Sequence, residues 1–152
     1  MTIYLVRHAK AGSRREWPGD DDLRPISAAG QAQAEALVTA LVDRGITRIV
    51  SSPYVRCRQT VDPLGQRLRL PVELSDALSE GATVTDTMRL VDKVTGEHAV
   101  LCTHGDVVGN LLDVLAGHGV ALPHHKLEKG STWVFDTTDD EITRATYLPP
   151  QE

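Results

Sequence analysis

Two histidines and several arginines lie where short apolar runs of this chain give out. The chain opens with Met1-Thr2-Ile3-Tyr4-Leu5-Val6 and delivers Arg7-His8 at the end of that run. A later run, His98–Thr103, ends in His104-Gly105-Asp106. Between them, Ile46–Ser51 leads through Ser52-Pro53 into a segment carrying Arg56 and Arg58. Histidine can act as a nucleophile towards phosphorus, and an arginine beside it can hold phosphate oxygens in a planar fork. Two imidazoles with arginines suit a tetrahedral phosphoryl group. One imidazole attacks while the other groups neutralise charge on the equatorial oxygens. An Arg-His pair alone could equally be two solvated residues at a strand end, so the chemistry requires the three segments to meet.

The surrounding elements supply a way for them to do so. The opening run is short, apolar and rich in branched side chains, which reads as a buried strand. Ile46–Ser51 and His98–Thr103 read the same way, with a third short strand near Pro71–Leu74. Helical spacing appears after Ser27, an N-cap residue, through Ala32, Ala36, Leu37, Ala40 and Leu41, with Gly45 as a stop. A helix is expected from about Tyr54, broken near Asp62-Pro63 into a second piece capped by Asp62, because proline cannot sit quietly inside a helix. Residues 84–94 form another helix, and Asp106 is expected to cap one that runs through Val107, Val108, Leu111, Leu112 and Leu115. A closing hairpin, Ser131–Asp136 with Ile142–Tyr147, fits around the acidic turn Thr137–Glu141. Strands alternating with helices favour an α/β fold. In a parallel sheet of that kind ligands bind beyond the carboxyl ends of the strands, where Arg7-His8, Ser52 and His104 would share one rim. The Gly-, Arg- and Asp-rich stretch 9–26 is then a long loop at the same rim.

On these motifs the chain resembles the histidine phosphatase superfamily, the phosphoglycerate mutase-like proteins. The resemblance is carried by Leu5-Val6-Arg7-His8-Ala9, by Arg24-Pro25-Ile26-Ser27-Ala28-Ala29-Gly30 with Gln33-Ala34, by Ser51-Ser52-Pro53 with Arg56 and Gln59-Thr60, and by His104-Gly105. It implies a three-layer α/β/α fold with a mostly parallel sheet flanked by helices. It also implies a phosphatase in which His8 becomes a phosphohistidine, and Arg7, Arg56 and His104 complete the phosphate pocket. Glu80 is the matching general acid, with Asp76 as its competitor, and a good leaving group needs no acid. The family's usual Arg-His-Gly is Arg-His-Ala here, a variant of its short bacterial branch, which includes phosphohistidine phosphatases. The stretches Lys10–Arg15 with Trp17, and Lys129–Trp133, resemble the phosphatase half of bacterial Nudix–phosphatase fusions, which is associated with nucleotide phosphates. The chain looks too short for the insertions that surround substrate in the mutases.

Arg14, Arg15 and Lys10 are candidates for holding substrate phosphate, because flexible loops commonly carry binding groups, with plain surface charge as the alternative. The expected partner is a phosphorylated small molecule or nucleotide, or a phosphohistidine protein. No cofactor or metal is expected, since arginines and His104 supply the positive charge. A His118, His124, His125 metal site is disfavoured because adjacent histidines seldom chelate one ion. Cys57 reads as packing, because no phosphate-cradling loop follows it. Cys57 and Cys102 read as reduced thiols. The Asp20-Asp21-Asp22 run reads as a solvated loop. A net charge of −5 argues against nucleic acid as partner. No stretch approaches transmembrane length. The expectation is one cytoplasmic domain over residues 1–152, not bound to membrane, with no oligomeric state implied.

Overall fold

The computed structural model describes residues 1–151. Six strands form one sheet: β1 (Thr2–Arg7), β2 (Arg48–Ser51), β3 (Val72–Leu74), β4 (Ala99–Thr103), β5 (Thr132–Thr138) and β6 (Glu141–Leu148). Their spatial order is β3-β2-β4-β1-β5-β6. The pairings among β3, β2, β4 and β1 are parallel, and the hairpin β5–β6 adds antiparallel beside β1. Four helices cover the sheet: α1 (Ala28–Leu41), α2 (Val55–Leu68), α3 (Val84–Val94) and α4 (Gly105–Gly117).

Strand alternation builds two cores, one on each face, as the pleat requires. Tyr4, Val6, Val100 and Cys102 meet Leu37 and Leu41 of α1 and Cys57, Val61 and Leu64 of α2. Ile3, Leu5, Ala99 and Leu101 face the other way, towards Val91 and Val94 of α3 and Val108, Leu111 and Leu115 of α4. The result is the three-layer α/β/α arrangement. Because β4 is inserted between β1 and β2, Arg7 is level with Thr103, and Ser51 with Cys102. The ladder runs on past the strand ends: His8 N–H donates to the Thr103 carbonyl at 2.9 Å, and Ser52 N–H to the Cys102 carbonyl at 2.9 Å. His8, Ser52 and His104 therefore leave the sheet side by side.

Ser27 caps α1 by accepting from Gly30 N–H at 3.1 Å. Three local expectations are corrected. α2 is continuous through Pro63, with no break and no cap at Asp62; burial of Cys57, Val61 and Leu64 on one stripe outweighs the proline penalty. Asp106 does not cap α4. His104 is the capping residue, and the Asp106 carboxylate accepts from Gly81 N–H at 2.8 Å. The hairpin is longer than its hydrophobic pattern, closing in a tight turn at Asp139-Asp140, both with positive φ (52° and 64°). Aspartate tolerates that region better than most residues, and paired positive φ suits the twist of a two-residue hairpin.

Candidate active site

The rim formed by β1, β2 and β4 encloses a hollow of about 450 Å³. Its walls include Arg7, His8, Gly12, Arg14, Arg24, Glu80, His104, Asp106 and Lys129. A larger surface hollow of about 560 Å³ lies between α1 and α2, and its walls hold neither histidine nor converging cations.

His8 is 6% exposed. Its ring lies 5.5 Å from that of His104, edge to face at 65°. His8 Nδ1 is 2.8 Å from the carbonyl of Ala9. A carbonyl only accepts, so Nδ1 carries the ring hydrogen and Nε2 keeps its lone pair. Burial lowers the imidazole's pKa to about 3; the Ala9 carbonyl opposes that shift, while His104, Arg56 and Arg7 add to it. At neutral pH the ring is uncharged. Ala9 itself is held by Thr60, whose hydroxyl accepts from Ala9 N–H at 2.9 Å and donates to the Arg56 carbonyl at 2.7 Å. The position of the His8 ring is thus coupled to α2.

Ser52 positions His104. Its hydroxyl accepts from Tyr54 N–H at 3.2 Å and lies 2.9 Å from His104 Nε2, free to donate there. With that bond made, the ring hydrogen sits on His104 Nδ1. Cys57 Sγ, 3.5 Å from the same Nε2, and the edge of Tyr54 complete the surroundings. Arg7 donates through one terminal nitrogen to the Leu127 carbonyl at 2.6 Å. A Cβ on Gly105 would come within 2.8 Å of its guanidinium carbon, so glycine lets Arg7 lie across the start of α4.

Among the described residues, four buried side-chain nitrogens lack a partner: Arg7 Nε, Arg56 Nε, His104 Nδ1 and His98 Nδ1. Three of them belong to the residues around His8. Buried donors are nearly always paired, because leaving one unmade costs about 1–3 kcal/mol. Three such nitrogens on residues beside an uncharged imidazole are an arrangement that could take up an oxyanion.

Glu80 lines the hollow, with Oε1 3.2 Å from Arg14 and Oε2 3.6 Å from Arg56. Asp76 is exposed and does not line it. Arg56 is 1% exposed, stacked over Tyr54 at 4.9 Å, and lies behind the wall rather than on it. Arg14 is on the wall; Arg15 and Lys10 are exposed outside it. The Lys10 backbone instead joins the loop to α1, donating to Gln33 and accepting from Ser27.

Residues 20–22 are not a plain solvated loop, which corrects the reading of that run. Asp21 accepts from Arg14 Nε at 3.1 Å, Arg24 Nε at 3.0 Å and Arg56 at 3.0 Å, and its carbonyl accepts from Arg56 at 2.7 Å. Partial burial works against its charge, but Arg24's hydrogen bond and the Arg56 and Arg14 guanidiniums hold the carboxyl below its usual range. Arg24 and Lys129 line the hollow and are not among the sequence-based site candidates, although Lys129 opens the Lys129–Trp133 stretch noted in the sequence. Arg24 had a signal in the Arg24-Pro25 motif, whereas Asp21 had none beyond an acidic triplet.

A model of the histidine phosphatase superfamily (branch 1) matches residues 3–87. The 8-oxo-(d)GTP phosphatase of Mycolicibacterium smegmatis is 37% identical, over 99% of this chain and 49% of that protein. The chain spans about half the length of the curated relatives it matches first. The solved structure of SixA from Agrobacterium tumefaciens superposes with a TM-score of 0.78 at 26% identity, covering 98% of both chains. The protein histidine phosphatase SixA in complex with tungstate superposes at 0.77 with 23% identity, over 97% of this chain and 94% of the other.

Proposed function

The chain belongs to the histidine phosphatase superfamily (branch 1), and on that premise we propose that it is a phosphatase that hydrolyses nucleotide phosphates through a phosphohistidine on His8. The observation that carries this reading is the group of unpaired buried donors, Arg7 Nε, Arg56 Nε and His104 Nδ1, around a neutral His8 whose Nε2 lone pair is available.

His8 Nε2 attacks phosphorus, the bond from phosphorus to the leaving oxygen breaks, and Glu80, entering the step as the protonated acid with its contacts to Arg14 and Arg56 released, passes its proton to that oxygen. Arg7 and His104, on the wall, hold the non-bridging oxygens while charge shifts, and Arg56 adds positive charge from behind the wall. Water then attacks the phosphohistidine and gives its proton to the Glu80 carboxylate. The phosphorus–nitrogen bond breaks, and its electron pair returns to Nε2. The positive charge comes from guanidinium groups, so no metal ion is assigned a role.

The nucleotide class is supported by the 8-oxo-(d)GTP phosphatase likeness over nearly the whole chain. The volume of the hollow, about 450 Å³, falls within the ~300–1,000 Å³ of small-molecule sites. A protein phosphohistidine is the second reading, favoured by the shape likeness to SixA. Turnover of p-nitrophenyl phosphate by the His8→Ala variant tests the chemistry. We expect a fall of about 10⁴-fold or more, as for loss of a nucleophile elsewhere. Full turnover in that variant removes the mechanism, and comparison of nucleotides with phosphorylated proteins as substrates decides the class.

A further inference from the structure

Lys129 lines the same hollow as His8, from the segment that leads into β5. Among the described residues its side chain has no carboxylate within ion-pair distance, and the cations around it are Arg7, Arg24, Arg14 and Arg56. Burial, and then repulsion from those four arginines, lowers its pKa below the ordinary value. A cation among like charges with no counter-ion is an unfavourable arrangement unless an anion joins it. The carboxylates nearby are already engaged: Asp21 with three arginines, Glu80 with Arg14 and Arg56, and Asp106 with Gly81 N–H.

The donors around His8 are enough for one phosphoryl group, since Arg7, Arg56 and His104 each present a buried nitrogen without a partner. Lys129 is therefore in surplus to the group being transferred. Arg14, 63% exposed at its side chain, also lines the hollow and is held only by Asp21 and Glu80 near the surface. A water molecule takes about 30 Å³ of liquid volume, so a hollow of about 450 Å³ has room for much more than one phosphate.

We propose that Lys129, with Arg14, forms a subsite for a second phosphoryl group, so that the preferred ligand carries a diphosphate or longer chain rather than a lone monoester. This deepens the phosphatase reading and rests on it: the terminal phosphoryl sits at His8 and the next one at Lys129. Lys129 is a specificity residue in this account, not a catalytic one.

Titration calorimetry on the full chain tests the subsite without turnover, using inorganic phosphate and the non-hydrolysable methylenediphosphonate. In the unaltered protein, methylenediphosphonate is expected to bind at least tenfold more tightly than phosphate. Lys129→Met should lower that ratio at least fivefold, while Lys129→Arg, which keeps the charge, should retain it. Equal affinities for the two anions overturn the proposal. So does a parallel loss for both in Lys129→Met, which would place Lys129 on the transferred group, and so does no loss at all. Failure of the phosphatase reading would appear separately, as undiminished turnover in His8→Ala, and does not alter this binding ratio.

Discussion

Two clusters of charge lie side by side at the rim, and they differ in how far their hydrogen bonds are satisfied. In the Asp21 cluster, one carboxylate takes Arg14, Arg24 and Arg56 at 3.0–3.1 Å, and Arg24 also reaches the Gly12 carbonyl at 2.6 Å. In the hollow beside it, His8 is uncharged, and Arg7, Arg56 and His104 each keep a buried nitrogen without a partner. The first cluster folds residues 9–26 against α2; the second, on the proposed reading, is completed by an anion. Arg56 belongs to both: two of its nitrogens are fixed by Asp21 and the third is left over. Charge density alone therefore does not mark a site. Unpaired donors do.

Substitutions should separate the two clusters. The largest effect is expected in the hollow: Arg7→Met removes a phosphoryl donor and should lower kcat by about 10²–10³-fold, roughly 3 kcal/mol of barrier. Its melting temperature should change little, since among the described residues Arg7 has one hydrogen-bond partner, the Leu127 carbonyl. A large drop in melting temperature with turnover intact would reverse the assignment.

The next effect is one of pH. Below pH 6.5 the unfolded chain binds a proton at His8, whereas the folded chain does not until about pH 3. The unfolded state thus holds more protons in that window, and stability falls on acidification by up to about 1.4 kcal/mol per pH unit from this one group. Urea unfolding at pH 7 and pH 5 should show the unaltered protein losing about 2 kcal/mol more than His8→Gln. Equal losses would mean that the imidazole is not buried in its neutral form.

The smallest effect belongs to the other cluster. Asp21→Asn weakens bonds to three guanidiniums on a carboxylate that is 32% exposed. A cost of about 1.5 kcal/mol is expected, or ~3–6 °C in melting temperature, with a smaller effect on turnover than Arg7→Met. Equal stability with turnover lost would place Asp21 in the chemistry.

The difference between the clusters also explains what the sequence could convey. Arg7, His8, Ser52 and His104 follow apolar runs directly, so strand alternation and parallel pairing are enough to bring them to one edge. The Ser27 cap and the two core stripes are local patterns of the same sort. Asp21 and Lys129 carry no such signal. Neither follows an apolar strand; Arg14 and Arg24 are near Asp21 in sequence, but the buried partner that ties it to the site, Arg56, is 35 residues away. The continuity of α2 through Pro63 was hidden for a related reason: burial against the sheet, which local propensity does not contain, decides it. Asp106 misled because an acidic residue near a helix start usually caps it, yet here Gly105 is needed one position earlier to clear Arg7.

The proposed mechanism stands or falls on His8 Nε2 as the nucleophile among donors suited to a phosphoryl group. Rapid alkaline quenching of the protein with a phosphorus-labelled substrate, followed by peptide mapping, tests it most directly. An acid-labile, base-stable phosphoryl group is expected on the peptide that contains His8, and none in His8→Ala. Steady turnover with label on no histidine, or label on His104 instead, would contradict it.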